Sequence, residues 1–128
     1  MKILILGAGK MGSFFTDLLS FDHEVAVLEN DPKRMRFIYN ALRLQKPEFA
    51  PELVINCVTL NYTIEAFKAV LPYLQPYCII SDIASVKTHL KEFYETCGFP
   101  YVSTHPMFGP TFANLGNLEK ENTIIISE

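Results

Sequence analysis

A few residues of this 128-residue chain have the types and spacing to do chemistry. Residues 7–12 read GAGKMG, and Gly7, Gly9 and Gly12 fit GxGxxG. Each glycine has a job in a pyrophosphate cradle. The first permits a tight turn, the second lets the backbone approach the phosphates, and the third lets a helix pack on the preceding strand. Ala8, Lys10 and Met11 fill the same turn, where the N–H groups of a helix start can meet phosphate oxygens. Glu29 lies close to the roughly 20-residue offset at which a carboxylate accepts hydrogen bonds from ribose hydroxyls. Farther on stand Thr59 after VINCV, Ser85 within SDIASVKTHL, and His105 within STHPMFGP. A neutral imidazole can accept a proton near neutral pH. Pro106, Gly109 and Pro110 restrict the loop that carries it.

Each feature also has a plainer reading. The glycines can form an ordinary turn, and a methyltransferase loop also follows a first strand. Such loops carry an acidic residue just before the first glycine, where this chain has Leu6. Thr59 can be a loop residue before a helix. Ser85 can cap a helix that opens at Val86. Lys87 can meet an anion or lie solvated on that helix, and His105 can be a satisfied histidine at a strand end. Glu29 favours NAD, because a carboxylate repels the 2′-phosphate of NADP. Lys33 and Arg34 lie just beyond and can instead bind that phosphate or form a solvated helical turn.

Positioning these residues requires strands and helices in alternation. Apolar runs predict strands at Lys2 to Leu6, Glu24 to Glu29, Leu53 to Val58, Cys78 to Asp82, Tyr101 to Thr104 and Thr123 to Ser127. Between them, helices are predicted at Met11 to Ser20, from Asp31-Pro32 to about Leu42, from an Asn61 cap to about Val70, and from Val86 to Thr96. ILIL, LVIN and TIII are near-continuous apolar runs, as in a parallel sheet covered on both faces. The prediction is a Rossmann-type α/β fold: an open, mostly parallel twisted sheet with helices on both faces. Ligands of such sheets bind beyond the carboxyl ends of the strands. Gly7, Thr59, Ser85 and His105 all follow such ends, so they should share one edge.

Composition narrows the field. The chain is 49% hydrophobic with a formal net charge of -3, from 11 basic and 14 acidic side chains. One domain with a real core is expected over residues 1–128. No basic stripe points to nucleic acid or a membrane surface. The apolar runs are too short to span a bilayer, and the N-terminal run breaks into glycines where a signal peptide would continue. Cys57, Cys78 and Cys97 form no CxxC and read as reduced and mostly buried thiols of a cytoplasmic protein. His23, His89 and His105 are too scattered for a metal site.

GAGKMG, SDIASVK and STHPMFGP, in this order and spacing, resemble the N-terminal dinucleotide-binding domain of prephenate dehydrogenases and the related arogenate dehydrogenases. The similarity runs from Met1 to the last strand. It implies NAD, with NADP possible, as cofactor, and prephenate or arogenate as substrate. In that family prephenate is oxidatively decarboxylated to 4-hydroxyphenylpyruvate on the way to tyrosine. The resemblance makes His105 the catalytic histidine at the ring hydroxyl and Ser85 the serine that assists there. Gly7, Gly9, Gly12 and Glu29 match cofactor positions. Family members often carry an acidic residue after the HPMFGP-like loop, where this chain has Thr111, so no gating carboxylate is carried over. The family also has a C-terminal helical domain that forms a homodimer and supplies a substrate-binding arginine. The 128 residues are expected to be the cofactor domain alone, inactive without that partner. Two other expectations remain at this stage. One is another small-molecule dehydrogenase or imine reductase, and the other is a non-catalytic NAD(P)-sensing module.

Overall fold

The computed structural model describes residues 1–35, 42–44, 49–108 and 122–126. In chain order the elements are β1 (Lys2–Leu6), α1 (Lys10–Leu19), β2 (Glu24–Leu28), α2 (Pro32–Met35), β3 (Leu42–Leu44), β4 (Leu53–Asn56), α3 (Thr63–Val70), β5 (Ile79–Asp82), α4 (Leu90–Thr96), β6 (Tyr101–Pro106) and β7 (Thr123–Ile126). They build one seven-stranded sheet in the order β3-β2-β1-β4-β5-β6-β7. All neighbours are parallel except β6 and β7. The chain winds outward from β1 to β3, then returns to β4 on the other side of β1. That reversal opens a crevice between the carboxyl ends of β1 and β4, where open α/β sheets bind ligands.

The run ILIL explains why β1 is central. Ile3, Leu4, Ile5 and Leu6 are all buried, so both faces of the strand are covered. Alternation then divides them between two cores. Leu4 and Leu6 join Ala26, Val54, Phe67, Val70 and Ile80 on the face covered by α3 and α4. Ile3 and Ile5 join Val25 and Val27 on the other face, packed by Phe15 and Leu19 of α1. Each such side chain contributes about 1.5–3 kcal/mol by leaving water. Aromatic contacts fix α3 and α4 against the sheet. Phe67 stacks on Phe93 with centroids 5.5 Å apart, and Tyr94 stacks on Tyr101 at 4.5 Å.

Several elements differ from the sequence expectation. The helix expected to run to Leu42 is described only as Pro32–Met35, and Leu42–Leu44 form an edge strand beside β2. A three-residue strand leaves almost no periodic signal. The sheet therefore has seven strands rather than six. β4 stops at Asn56, short of Val58, because the buried Asn56 side chain turns the chain. Its amide donates to the Thr63 carbonyl at 2.8 Å and its oxygen accepts from the Val58 N–H at 3.1 Å. Asn61 does not cap α3: a 3-10 turn, Leu60–Tyr62, precedes it. α4 begins at Leu90 rather than Val86. The TIII run is not covered on both faces, since Ile124, Ile125 and Ile126 of β7 are all exposed. Cys78 is buried, whereas Cys57 and Cys97 are half-buried, and all three are free thiols. Among the described residues no helix is long and apolar enough to cross a membrane.

Candidate functional site

The glycine turn closes β1 onto α1. Gly7 adopts φ +91°, a left-handed conformation that strains any residue with a Cβ. Its N–H donates to the Leu28 carbonyl at 2.9 Å, so the turn starts at the end of β2 as well as β1. Gly12 is obligatory for a different reason. A Cβ there would stand 2.0 Å from the Gly7 carbonyl oxygen. Gly9 is open: the nearest atom to an added Cβ would be Arg34 Nη1 at 4.0 Å. The three glycines thus divide into a turn, an approach surface and a helix contact.

Glu29 lies one residue past β2 and reaches back to this loop. Its Oε2 accepts from the Ala8 N–H at 2.5 Å, and its Oε1 accepts from the Asp31 N–H at 3.0 Å. Around the loop lies a cleft of about 740 Å³. Gly7, Gly9, Lys10, Met11, Glu29, Thr59 and Ser85 all line it, together with Asn30, Arg34 and Cys57. A cleft of this size fits an extended ligand. Ala8 is buried, and Gly12 of α1 packs against the Gly7 carbonyl. Burial pushes the Cys57 thiol up to about 12, which keeps it protonated and removes it as a nucleophile.

Thr59 sits exposed at the β4 turn, its carbonyl accepting the Tyr62 N–H at 2.9 Å. Ser85 is exposed in the loop after β5 and does not cap α4, which opens five residues later with His89 at its N-cap position. The loop is held by Asp82 instead. The Asp82 side chain is fully buried, and four donors converge on it. Oδ2 accepts from the Ala84 N–H at 2.8 Å and from Lys87 Nζ at 2.5 Å. Oδ1 accepts from the Tyr94 hydroxyl at 2.6 Å and the Ser103 hydroxyl at 2.7 Å. Lys87 also donates to the Thr104 carbonyl at 2.8 Å, and the Thr104 hydroxyl donates to the Asp82 carbonyl at 2.8 Å. So Lys87 is not a solvated helical lysine but a tie between the β5 loop and the end of β6. Burial, then the bond to Asp82, hold the Tyr94 hydroxyl far above the ordinary phenol range.

His105 lies inside β6 rather than beyond its end, because β7 pairs with β6 as far as Pro106. It is half-buried, opposite Ile124. It does not line the cleft that holds the other expected residues. The parallel register pairs Asp82 with Ser103. The ladder ends there, two residues before His105 and three before Ser85. Phe108, just after β6, packs on Phe14 and Phe15 of α1 at centroid distances of 5.9 and 6.3 Å. Gly109, Pro110 and Thr111 lie outside the described residues. Sequence reading missed Asp82, Tyr94 and Ser103. The available signal was an acidic residue ending a strand too apolar to leave it solvated.

Among the described residues no group of three His, Cys, Asp or Glu side chains could hold a metal ion.

Known proteins carry the same arrangement of parts. Over all of its length, the chain superposes with a TM-score of 0.82 on prephenate dehydrogenase from A. aeolicus, solved with hydroxyphenyl propionate and NAD+. Identity there is 22%, so that likeness speaks for the fold, and this chain covers 51% of that one. In sequence, it is 28% identical over 119 residues to the T-protein of Haemophilus influenzae, covering 89% of this chain and 29% of that one. A probable arogenate/prephenate dehydrogenase of Methanocaldococcus jannaschii is 35% identical over 72 residues, 50% of this chain and 15% of that protein. The chain thus spans less than a third of the length of these two curated relatives. Residues 15–122 match the family described as "Prephenate dehydrogenase, nucleotide-binding domain". The match begins beyond the glycine turn and runs through the Asp82 loop and β6. The chain therefore belongs to the prephenate dehydrogenase nucleotide-binding domain family.

Proposed function

We propose that this domain binds NAD, or NADP, and forms the cofactor side of an active site that oxidatively decarboxylates prephenate or arogenate. One observation carries the reading: the glycine turn, Glu29, Thr59 and Ser85 line one cleft, although they come from four separate chain segments. A dinucleotide fits what is there. Gly9 presents bare backbone to the cleft, the start of α1 offers N–H groups to a pyrophosphate, and Glu29 stands where ribose hydroxyls would reach. The bound nicotinamide would supply the hydride acceptor.

The chain's own residues supply orientation and a base. Ser85 lies in the loop after β5, and His105 lies near the end of the neighbouring strand β6. Ser85 would donate or accept a hydrogen bond at the ring hydroxyl. His105 would accept that hydroxyl's proton as the hydride leaves the carbon bearing it. The carboxylate then departs as carbon dioxide and the ring becomes aromatic. Holding the hydroxyl between two fixed groups converts a collision into a positioned reaction. A second, helical domain would close the site, supply the arginine for the substrate's carboxylates and form a homodimer.

The test uses the gene's full-length product, assayed with prephenate and with arogenate and with each cofactor, beside its His105→Asn variant. A rate lost by about 10²-fold or more with cofactor affinity intact supports the base assignment. An unchanged rate overturns it. Oxidation of neither substrate overturns the reaction class.

A further inference from the structure

A second cavity, of about 430 Å³, opens on another side of α3 from the dinucleotide cleft. Glu65, Ala66 and Ala69 of α3 line the cleft, whereas Ile64 lines the second cavity. One wall is the 3-10 turn Leu60–Tyr62 with the start of α3, and the other is the loop from β5 into α4. Ile64 and Leu90 line it as parts of the hydrophobic core, where Leu90 is buried. Leu60 and Val86 line it too, and each is 47% exposed. Branched side chains left half in water around one hollow are surface that an apolar ligand would cover favourably.

Both walls are held by buried polar groups. Asp82 accepts the Ala84 N–H and the Lys87 ammonium, and the Leu90 N–H donates to the Lys87 carbonyl at 3.0 Å. On the other side, the Asn56 amide donates to the Thr63 carbonyl at 2.8 Å, and the Tyr62 N–H donates to the Thr59 carbonyl at 2.9 Å. A hollow with fixed walls needs little reordering to take a ligand. Asn61, Thr88 and His89 add polar lining. An amide, a hydroxyl and an imidazole can each donate a hydrogen bond, and a carboxylate only accepts.

We propose that this cavity is a regulatory site for a small carboxylate with a branched or cyclic apolar body, about ten non-hydrogen atoms in all. The body lies against Leu60, Ile64, Val86 and Leu90. The carboxylate takes its hydrogen bonds from Asn61, Thr88 and His89. Occupancy reaches the cofactor because Leu60 lines both cavities and α3 is the wall they share. That coupling rests on the dinucleotide reading above, whereas binding of the carboxylate does not. By linkage, NAD and the carboxylate change each other's affinity by the same factor.

The test is titration of the purified chain with cyclohexylacetate, followed by NMR of its backbone amides, with 2-cyclohexylethanol as the neutral twin. Cyclohexylacetate should bind with a Kd on the order of 1 mM and move the amide signals of Ile64, Thr88 and Leu90. The alcohol should bind at least about threefold more weakly. His89→Ala should weaken cyclohexylacetate about three- to tenfold, and Val86→Asp, which sets a like charge in the apolar wall, should weaken it at least about tenfold. Both positions are exposed, and the same spectra report whether the fold is kept. Saturating NAD should leave cyclohexylacetate bound, with its Kd changed about threefold or more. No binding by about 20 mM, or equal binding by both variants, overturns the site. Equal binding of the alcohol overturns the carboxylate assignment. Complete displacement by NAD overturns the proposal by putting the probe in the dinucleotide cleft, and an unchanged Kd overturns the regulatory role. Binding of cyclohexylacetate by a chain that does not bind NAD overturns the dinucleotide reading and the coupling, while the binding site itself is supported.

Discussion

Replacing Asp82 by Asn would test whether the β5 loop hangs on a buried charge. The carboxylate accepts from four donors and is wholly out of water, while the side chain of its partner Lys87 is only 20% exposed. An amide of the same shape keeps one acceptor and turns the other into a donor. If its oxygen faces Tyr94 and Ser103, its NH₂ meets the Ala84 N–H and the Lys87 ammonium. The flipped amide meets the two hydroxyls instead, and the hydroxyls can rotate away whereas the ammonium cannot lose its charge. Breaking a buried pair by removing one partner costs about 3–5 kcal/mol. That is a large part of the roughly 5–15 kcal/mol that holds a domain together. With a urea slope of about 1–3 kcal/mol per molar, the midpoint should fall by roughly 1–5 M, or the chain should be unfolded in buffer. Lys87→Met should cost a similar amount, about 3–5 kcal/mol, because it leaves the buried Asp82 carboxylate without its cation. Tyr94→Phe should cost about 1–2 kcal/mol. Urea titration followed by far-UV circular dichroism reads all three. An Asp82→Asn midpoint within about 0.3 M of wild type, at unchanged slope, would refute the buried-charge account.

The glycines offer a cleaner contrast. Gly12→Ala should destabilise the fold by about 3 kcal/mol, because its Cβ would meet the Gly7 carbonyl backbone, whereas Gly9→Ala should leave the urea midpoint nearly unchanged and weaken dinucleotide binding. A Gly12→Ala midpoint equal to wild type would show that α1 sits farther from the turn than described. Alkaline stability should depend on Cys57. Its folded pKa is raised from 9.0 to about 12, so the folded state holds the proton more tightly than the unfolded state does. The contribution is therefore full below pH 9 and is lost as pH rises towards 12, with a slope of up to about 1.4 kcal/mol per unit. The midpoint of Cys57→Ala should decline less steeply than that of wild type over that window, and parallel declines would count against it.

How much of this was legible in the sequence follows from where each residue gets its partners. The β1 turn was legible, because Gly7 and Gly12 answer to local geometry and the run ILIL marks a strand covered on both sides. The shared edge was legible for Thr59 and Ser85, since both follow apolar strands. The end of β6 was not. His105 was expected past the strand, but the strand continues because β7 pairs with it from about twenty residues away, and antiparallel pairing leaves no trace in local periodicity. The start of α4 was misplaced for a similar reason. Val86 to Thr96 has helical spacing, yet Asp82 and Lys87 hold residues 83–89 in a loop through contacts to Thr104 and Ala84. Arg34 and Lys33 were indistinguishable as neighbours, and only the direction of α2 tells them apart.

The Asp82 cluster raises a question that stability alone does not answer. A buried ion pair is weak evidence for stability, since well-packed apolar residues often hold a core equally well. Tyr94 and Tyr101 already pack there, so an apolar side chain at position 82 would have neighbours to meet. What an apolar side chain lacks is direction. Asp82 fixes the Ala84 N–H, and Lys87 fixes the Thr104 carbonyl, so together they set the loop of Ser85 against the strand of His105. The double variant Asp82→Leu/Lys87→Met should therefore recover part of the stability lost by Asp82→Asn, because no unpaired charge remains, although the Tyr94 and Ser103 hydroxyls and the Ala84 N–H lose their acceptor. It should not recover the loop. The Ala84 amide should exchange its hydrogen at least about tenfold faster than in wild type, while the amides of β1 exchange at nearly the wild-type rate. If the Ala84 amide stays protected in the double variant, the loop is held by its packing, and the buried pair is only a component of the core.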